Sequence, residues 1–365
     1  MTSSGAEAHS ALDEMSWQIP ATWQRFATLD LHTEGEPLRI LIDGLAPIPG
    51  ATILDKRRYA QQRLDGLRRL LMLEPRGHAD MYGAIVTPPA SPDGDLGVLF
   101  MHNEGWSTMC GHGIIALVTG LLEARPRPST FPDLDCERLA TKGELRIDAP
   151  AGQVIARATL SSDRQRVIRV AFHNVPSFVY ALDQTVDVPG WGCVRYDLAF
   201  GGAFYAYVDA ADLGLALDAA GYRRLIEAGT AIKRAIIAAR EIRHPSGPDL
   251  GFLYGVIFNG PPHDPAHQAR NVCVFADGEV DRSPTGTGVS GRAALEHARG
   301  RLLAGQPFTI ESILGTTFTV TIAGEADVAG YRAVIPEVSG RAWITGRHEF
   351  VCAPDDPLGA GFLLR

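Results

Sequence analysis

Residues 281–288 read DRSPTGTG and run straight into VSGRAALEHAR, while MCGHG at 109–113 runs into IIALVTGLLEA. Written out with their flanks, VLFMHNEGWSTMCGHGIIALVTGLLEA and VCVFADGEVDRSPTGTGVSGRAALEHA share one order: apolar strand, polar loop, x-G-x-G, helix. A repeat of this kind means one supersecondary unit used twice. It predicts two halves of one fold facing a shared cleft. The copies differ where chemistry is most sensitive, because Cys110 in the first corresponds to Thr285 in the second.

Glycine at a helix start lets another backbone approach closely, and the first turn of a helix leaves its amides without intrahelical partners. Two such turns in opposition would hold a carboxylate between the N–H groups of Gly111, His112, Gly286 and Thr287, with both helix dipoles helping. The same positive end should lower the pKa of a thiol placed there, so Cys110 is expected to be partly thiolate near neutrality. GTGVSG at 286–291 and GHGIIA at 111–116 also match the dinucleotide fingerprint. That fingerprint needs a strand leading directly into the first glycine and an acidic residue about 20 positions on. Here DGEVDRSPT intervenes before Gly286, and Glu123 comes too soon after Gly111, so a nicotinamide-dependent oxidoreductase is the remote alternative.

With 365 residues, 45% of them apolar, the chain can bury a large core, and two domains is the first expectation. The net charge of −8 carries no basic tract for nucleic acid or for an acidic membrane surface. Five cysteines without a CxxC pair suit a reducing compartment and offer no zinc-finger spacing, so no metal site is expected. The first residues lack a basic start and an apolar core and read as a flexible leader over 1–24, not a secretory signal. GIIALVTGLL at 113–122 is half the length of a membrane span, and a cytoplasmic location is expected.

Strand-like runs dominate, among them LRILIDGL, ELRIDA, QVIARATL, RVIRVAFHNV and AFYAYVDA. Helical periodicity marks RRYAQQRLDGLRRLLML and residues 221–241. Phe318, Val320 and Ile322 alternate with Thr319 and Thr321, as on a strand with one buried face. The class is α+β. The expected division is an N-terminal half over 25–192 carrying the cysteine phrase, joined by a C-terminal strand within 345–365, and a C-terminal half over 193–344 carrying the threonine phrase.

DLHTEGEP at 30–37, MCGHG at 109–113 and DRSPTGTG at 281–288, together with FGGAFYAYVDA at 200–210, resemble the proline racemase family, in order and over nearly the whole chain. The resemblance implies a diaminopimelate-epimerase-like fold: two pseudo-symmetric α/β domains, each wrapping sheet around a central helix, with the active site in the cleft between them. It implies a small amino-acid substrate, no cofactor and, as members are often dimeric, a homodimer. Racemases and hydroxyproline epimerases of the family carry cysteine in both phrases, one for each face of the α-carbon. A threonine hydroxyl without an adjacent base is a poor proton carrier. The Cys110/Thr285 pairing resembles the family's trans-3-hydroxy-L-proline dehydratases.

In that substrate the 3-hydroxyl is trans to the carboxylate and shares a ring face with the α-hydrogen, so elimination is syn and one acid/base group, Cys110, suffices. The resulting enamine would tautomerise to Δ1-pyrroline-2-carboxylate. By the same resemblance His112 and Asp281 are expected near the ring nitrogen, and His32 near the substrate. Glu34 replaces a glycine of the usual phrase HTGGEP. Glu34 and Glu36 as an acid/base pair, and Tyr82 and Phe275 as pocket walls, are set aside for bland roles in strand and core. A racemase or hydroxyproline 2-epimerase is the nearest alternative, and an amino-acid-binding module without catalysis is a further one.

Overall fold

Two stretches of the chain are buried on every side, and the rest of the fold is arranged around them. A computed structural model of the chain describes residues 17–364; the expected leader lies, over residues 1–16, outside the described residues. Six α-helices occur among the described residues: α1 (Ile53–Arg63), α2 (Asp65–Met72), α3 (Gly111–Glu123), α4 (Cys136–Lys142), α5 (Tyr222–Ala239) and α6 (Gly286–Ala298). In α3 every residue from Gly111 to Leu122 is buried, and in α6 every residue from Gly286 to Gly291 is. A helix buried all round has to be enclosed by other elements. Sheet encloses both.

The same order of pairings is built twice. In the first half Ala342–Cys352 pairs antiparallel with Gln24–Thr33, which pairs antiparallel with Glu36–Asp43, and this lies parallel to Tyr82–Thr87. Leu96–His102 follows antiparallel, Leu145–Ala149 parallel to it, and then Gly152–Leu160 and Val167–His173 antiparallel in turn. The second half repeats this alternation with Ser177–Val188, Gly192–Phe200, Phe204–Asp209, Leu253–Gly260, Ala269–Phe275, Phe308–Glu311, Thr317–Val328 and Tyr331–Gly340. Parallel neighbours need a long crossover. The crossovers are helical, by α1 and α2 and then α3 and α4 in the first half, and by α5 and then α6 in the second. The two phrases of the repeat thus become the starts of the two central helices.

Ser177–Val188 pairs with Gly192–Phe200, so hydrogen bonding carries the second set of strands back across the 192/193 boundary expected from sequence. Gly190 and Gly192, at φ 80° and 76°, make the PGWGC stretch a hairpin turn inside that set. The chain passes between the two sets at 174–176 and again at 341. Asn174 anchors the first crossing, its Nδ2 donating to Gly201 O (2.7 Å) and to Ser290 Oγ on α6 (2.8 Å). Tyr331–Gly340 pairs both with Val167–His173 and with Ser177–Val188, which joins the halves and closes the second set on itself.

The starts of α3 and α6 meet head to head. A Cβ added at Gly111 would lie 2.6 Å from Gly286 Cα, and one added at Gly286 would lie 2.6 Å from Gly111 Cα. Gly111→Ala should therefore cost about 1–3 kcal/mol by overpacking, read as a lower urea midpoint. Gly66→Ala in α2, where a Cβ meets nothing within 4 Å, should be neutral or gain about 0.4–1 kcal/mol. Equal effects from the two substitutions would contradict the head-to-head contact.

Candidate active site

Cys110 is the N-cap of α3. Its backbone is extended (φ −145°, ψ 109°) and its Sγ accepts from Gly113 N at 3.2 Å. Thr285 is the N-cap of α6 but lies at φ 69°, ψ 96° and makes no side-chain cap. A β-branched residue at such a φ is an outlier. It is held by a tight turn in which Ser283 N donates to Asp281 Oδ1 (2.7 Å) and Thr285 N to Ser283 Oγ (3.1 Å). Thr285 Oγ1 makes no well-formed hydrogen bond among the described residues, although its dipole helps hold down the Asp281 carboxyl and the Cys273 thiol.

Cys110, Gly111, His112, Asp281, Thr285, Gly286 and Thr287 all line one closed cleft between the two helix starts, with a free interior of about 10 Å³, room for about one water molecule. His32 does not line it. It is half-buried, stacked on Trp343 at 5.0 Å, and its Nδ1 accepts from Gly35 N at 3.2 Å, so it braces the turn after its own strand. Glu34 and Gly35 are the two turn residues between the paired Thr33 and Glu36, with φ 50° and 102°. This left-handed geometry suits a glycine at 34. The Glu34 carboxylate accepts from Arg341 N at 3.1 Å and also does not line the cleft.

Electrostatics correct one expectation. The Cys110 thiol is pushed well above its ordinary value, first by burial; the Gly113 N–H pulls it down, but Asp281 and Glu36 push it up again. A helix end is a partial charge, and here desolvation with two acidic neighbours outweighs it. His112 is driven down to about 3 by burial and is a neutral imidazole, with Nδ1 at 3.3 Å and Nε2 at 3.5 Å from Cys110 Sγ. Asp281 is raised to about 6 by burial, so it is a carboxylate at neutral pH. Glu36 is completely buried, accepts from Arg282 N at 2.7 Å and is raised well above the carboxylate range by burial and by Asp281. The proton therefore rests on Glu36 and the charge on Asp281.

Four aromatic residues complete the cleft: Tyr82, Tyr205, Tyr254 and Phe275. Tyr205 OH and Thr287 Oγ1 are 2.7 Å apart, which ties the wall to the first turn of α6. Tyr254 stacks on Phe275 at 5.4 Å, and Tyr82 meets the His112 ring edge-on at 4.8 Å. These residues come from four separate strands. Period-two alternation gives them no mark that separates a pocket wall from core, and only the pairing of those strands brings them together.

Two sheet-wrapped helices with opposed N-termini, a thiol at one and a hydroxyl at the other, define the two-half α+β class with the diaminopimelate-epimerase-like fold. Residues 28–363 match the family model described as proline racemase, and the chain belongs to that family. The trans-3-hydroxy-L-proline dehydratase of Colwellia psychrerythraea is 47% identical over 362 residues, covering 98% of this chain and 99% of that one. The 3-hydroxyproline 2-epimerase of Burkholderia multivorans is 44% identical over 339 residues, covering 93% and 98%. A crystal structure of a hydroxyproline epimerase from Agrobacterium vitis with bound trans-4-OH-L-proline superposes with a TM-score of 0.84 at 34% identity, covering 93% of this chain and 96% of that one. The dinucleotide alternative finds no room. The helix starts touch at Gly111 and Gly286, and the last strand before α6, the two-residue Glu279–Val280, ends at Val280 and does not lead directly into the first glycine.

The raised thiol has a direct readout. Alkylation of Cys110 by iodoacetamide, followed on its own peptide by mass spectrometry, should be slow at neutral pH and still climbing at about pH 9, where an ordinary cysteine is mostly thiolate. Asp281→Asn removes a negative neighbour and should move the curve to lower pH. A plateau near neutrality in the unmodified protein would contradict the assignment.

Proposed function

We propose that the protein dehydrates trans-3-hydroxy-L-proline to Δ1-pyrroline-2-carboxylate. The observation that carries this reading is the asymmetry of the cleft: one thiol, Cys110, faces one threonine, Thr285, across two opposed helix starts. The full-length likeness to a trans-3-hydroxy-L-proline dehydratase supports it. A reaction that exchanges protons on both faces needs two ionisable groups, whereas a syn elimination needs one.

The substrate carboxylate takes the amides at the starts of α3 and α6, where no intrahelical acceptor is available. Asp281 holds the ring nitrogen in its ammonium form, which makes the α-hydrogen more acidic. As that proton leaves, charge develops on the carboxylate, and preorganised donors of this kind are worth about 10²–10³ in rate each. Cys110 as thiolate takes the α-proton. Its charge is met by the Gly113 N–H, by the neutral His112 ring and by the Tyr82 hydroxyl. The departing 3-hydroxyl lies on the same ring face and takes up a proton there. Thr285 contributes bulk and a hydroxyl on the other face and exchanges no proton, so the α-carbon is not reprotonated with inversion. Every proton transfer uses the protein's own groups.

The test is incubation of the purified protein with trans-3-hydroxy-L-proline, L-proline and 4-hydroxyproline, following pyrroline-2-carboxylate and optical rotation with nothing added. Pyrroline should form from the 3-hydroxy compound alone; epimerisation of 4-hydroxyproline without dehydration would falsify the reading. Cys110→Ser should lose about 10²–10⁴ in rate, as when a general base is removed. Thr285→Cys should gain measurable exchange on both faces.

Asp281 sets an acid limb. Its pKa is raised, so it stays protonated up to about pH 6, and kcat/KM should fall as pH drops through that value. In Asp281→Asn this break should vanish and the remaining rate be low throughout. A break that persists in the variant would assign it to another group.

A further inference from the structure

We propose that the Tyr254 hydroxyl protonates the departing 3-hydroxyl, and that Tyr82 carries to it the proton Cys110 has taken from the α-carbon. The proposal rests on the dehydratase reading and extends it to residues outside the two glycine phrases. Syn elimination leaves a proton on the sulfur and requires one at an oxygen on the next ring carbon. The sulfur is fixed by the Gly113 N–H at 3.2 Å and the His112 ring at 3.3 Å, at the very start of α3. A second group, set in the same cleft as the thiol, serves the oxygen.

The geometry supplies such a group. Ser107 Oγ, Tyr82 OH and Tyr254 OH form a buried chain with steps of 2.7 and 3.0 Å. Tyr82 is the member nearer the thiol by contact: it lines the cleft with Cys110 and meets edge-on, at 4.8 Å, the His112 ring that lies 3.3 Å from the sulfur. Tyr254 is the other end, and its ring is fixed by stacking on Phe275 at 5.4 Å and by the edge contact with Tyr205 at 5.8 Å. Both tyrosines line the cleft. Hydroxyl hydrogens rotate freely, so the chain can donate in either direction. Burial pushes both phenols well above their ordinary value, so each is a donor at any working pH. A buried phenolate is equally disfavoured, which requires that a proton lost from Tyr254 be returned within the same event.

The step balances. The Cα–H electron pair becomes the second Cα–C3 bond, and the C3–O pair leaves on oxygen. That oxygen takes the Tyr254 proton and departs as water. Tyr254 takes the proton of Tyr82, and Tyr82 takes the one on Cys110, restoring the thiolate. Substrate loses the elements of water, and the protein ends as it began.

The experiment uses Tyr254→Phe and Tyr82→Phe with trans-3-hydroxy-L-proline in D₂O, measuring pyrroline formation and deuterium entering Cα of recovered substrate. Dehydration should fall by about 10²-fold, and the ratio of deuterium entry to dehydration should rise by roughly ten-fold or more, because α-proton removal survives while departure stalls. An unchanged ratio overturns the proposal, whether both rates fall together or neither does. Trans-3-fluoro-L-proline gives a second measure, since fluoride departs without needing a full proton: each variant should lose roughly ten-fold less on it than on the hydroxy compound. Equal losses overturn the proposal. If Tyr254→Phe does not fold, the hydroxy-to-fluoro comparison in Tyr82→Phe decides the point. Unmodified protein that yields no pyrroline would instead sink the dehydratase reading, a result distinct from active protein with an unaltered ratio.

Discussion

Two helix N-termini are pressed together at Gly111 and Gly286, and most of the architecture follows from keeping them there. Each end carries the equivalent of about +0.5 charge, so their opposition is repulsive, on the order of 1 kcal/mol at the effective dielectric of a protein interior. An anion between them reverses the sign. The sheets around α3 and α6 supply the burial that holds the ends in place, and the strand Tyr331–Gly340, shared between the halves, prevents them from drifting apart. On the proposed reading, a fold that brings two like poles together makes a carboxylate site from main chain alone. Side chains are then free for proton chemistry.

Symmetry makes this site and asymmetry gives it a direction. The order of strand pairings is the same in both halves, and each central helix follows a strand and a loop and opens on a glycine pair. The copies part at the N-caps. Cys110 sits in relaxed extended geometry with its sulfur accepting from α3, while Thr285 is held at φ 69° and its hydroxyl makes no well-formed hydrogen bond among the described residues. A non-glycine residue in that region costs of order 1–3 kcal/mol and persists only where its surroundings over-determine it. The Asp281–Ser283 turn and the glycine contact do so here. On the proposed reading, the backbone, and not only the side chain, therefore separates the face that exchanges a proton from the face that does not.

The parts of the site that the sequence makes legible are those fixed locally. A glycine pair before an apolar helix is written in adjacent letters, so the opposed amides, Cys110, His112, Asp281 and Thr285 can be read from 109–113 and 281–288. What depends on long-range pairing cannot. Tyr205, Tyr254 and Phe275 look like any alternating strand residue, and Ser177–Val188 looks local to the first half until its pairing with 192–200 is seen. Burial is equally invisible in the letters. It drives the Cys110 thiol up where the helix end alone would lower it, and it makes Glu36 a neutral acid in place of half of a catalytic pair. His32 belongs to the same class, since its position beside the glycine turn is local but its stacking on Trp343 comes from a strand near the far end of the chain.

The closed cleft and the raised thiol have one cause. With a free interior of about 10 Å³, the cleft between the helix starts has room for about one water, less than a pyrrolidine ring fills. In the closed form Cys110 is a neutral thiol among acids, which protects it from oxidation and stray electrophiles because the thiolate is the reactive species. A zwitterionic ring changes that balance. On the proposed reading its ammonium would neutralise Asp281, the second largest influence raising the thiol after burial, while its carboxylate would settle on the helix amides away from the sulfur. On that reading, binding such a ligand would bring Cys110 toward ionisation, and a ligand without the ammonium would leave the sulfur protonated.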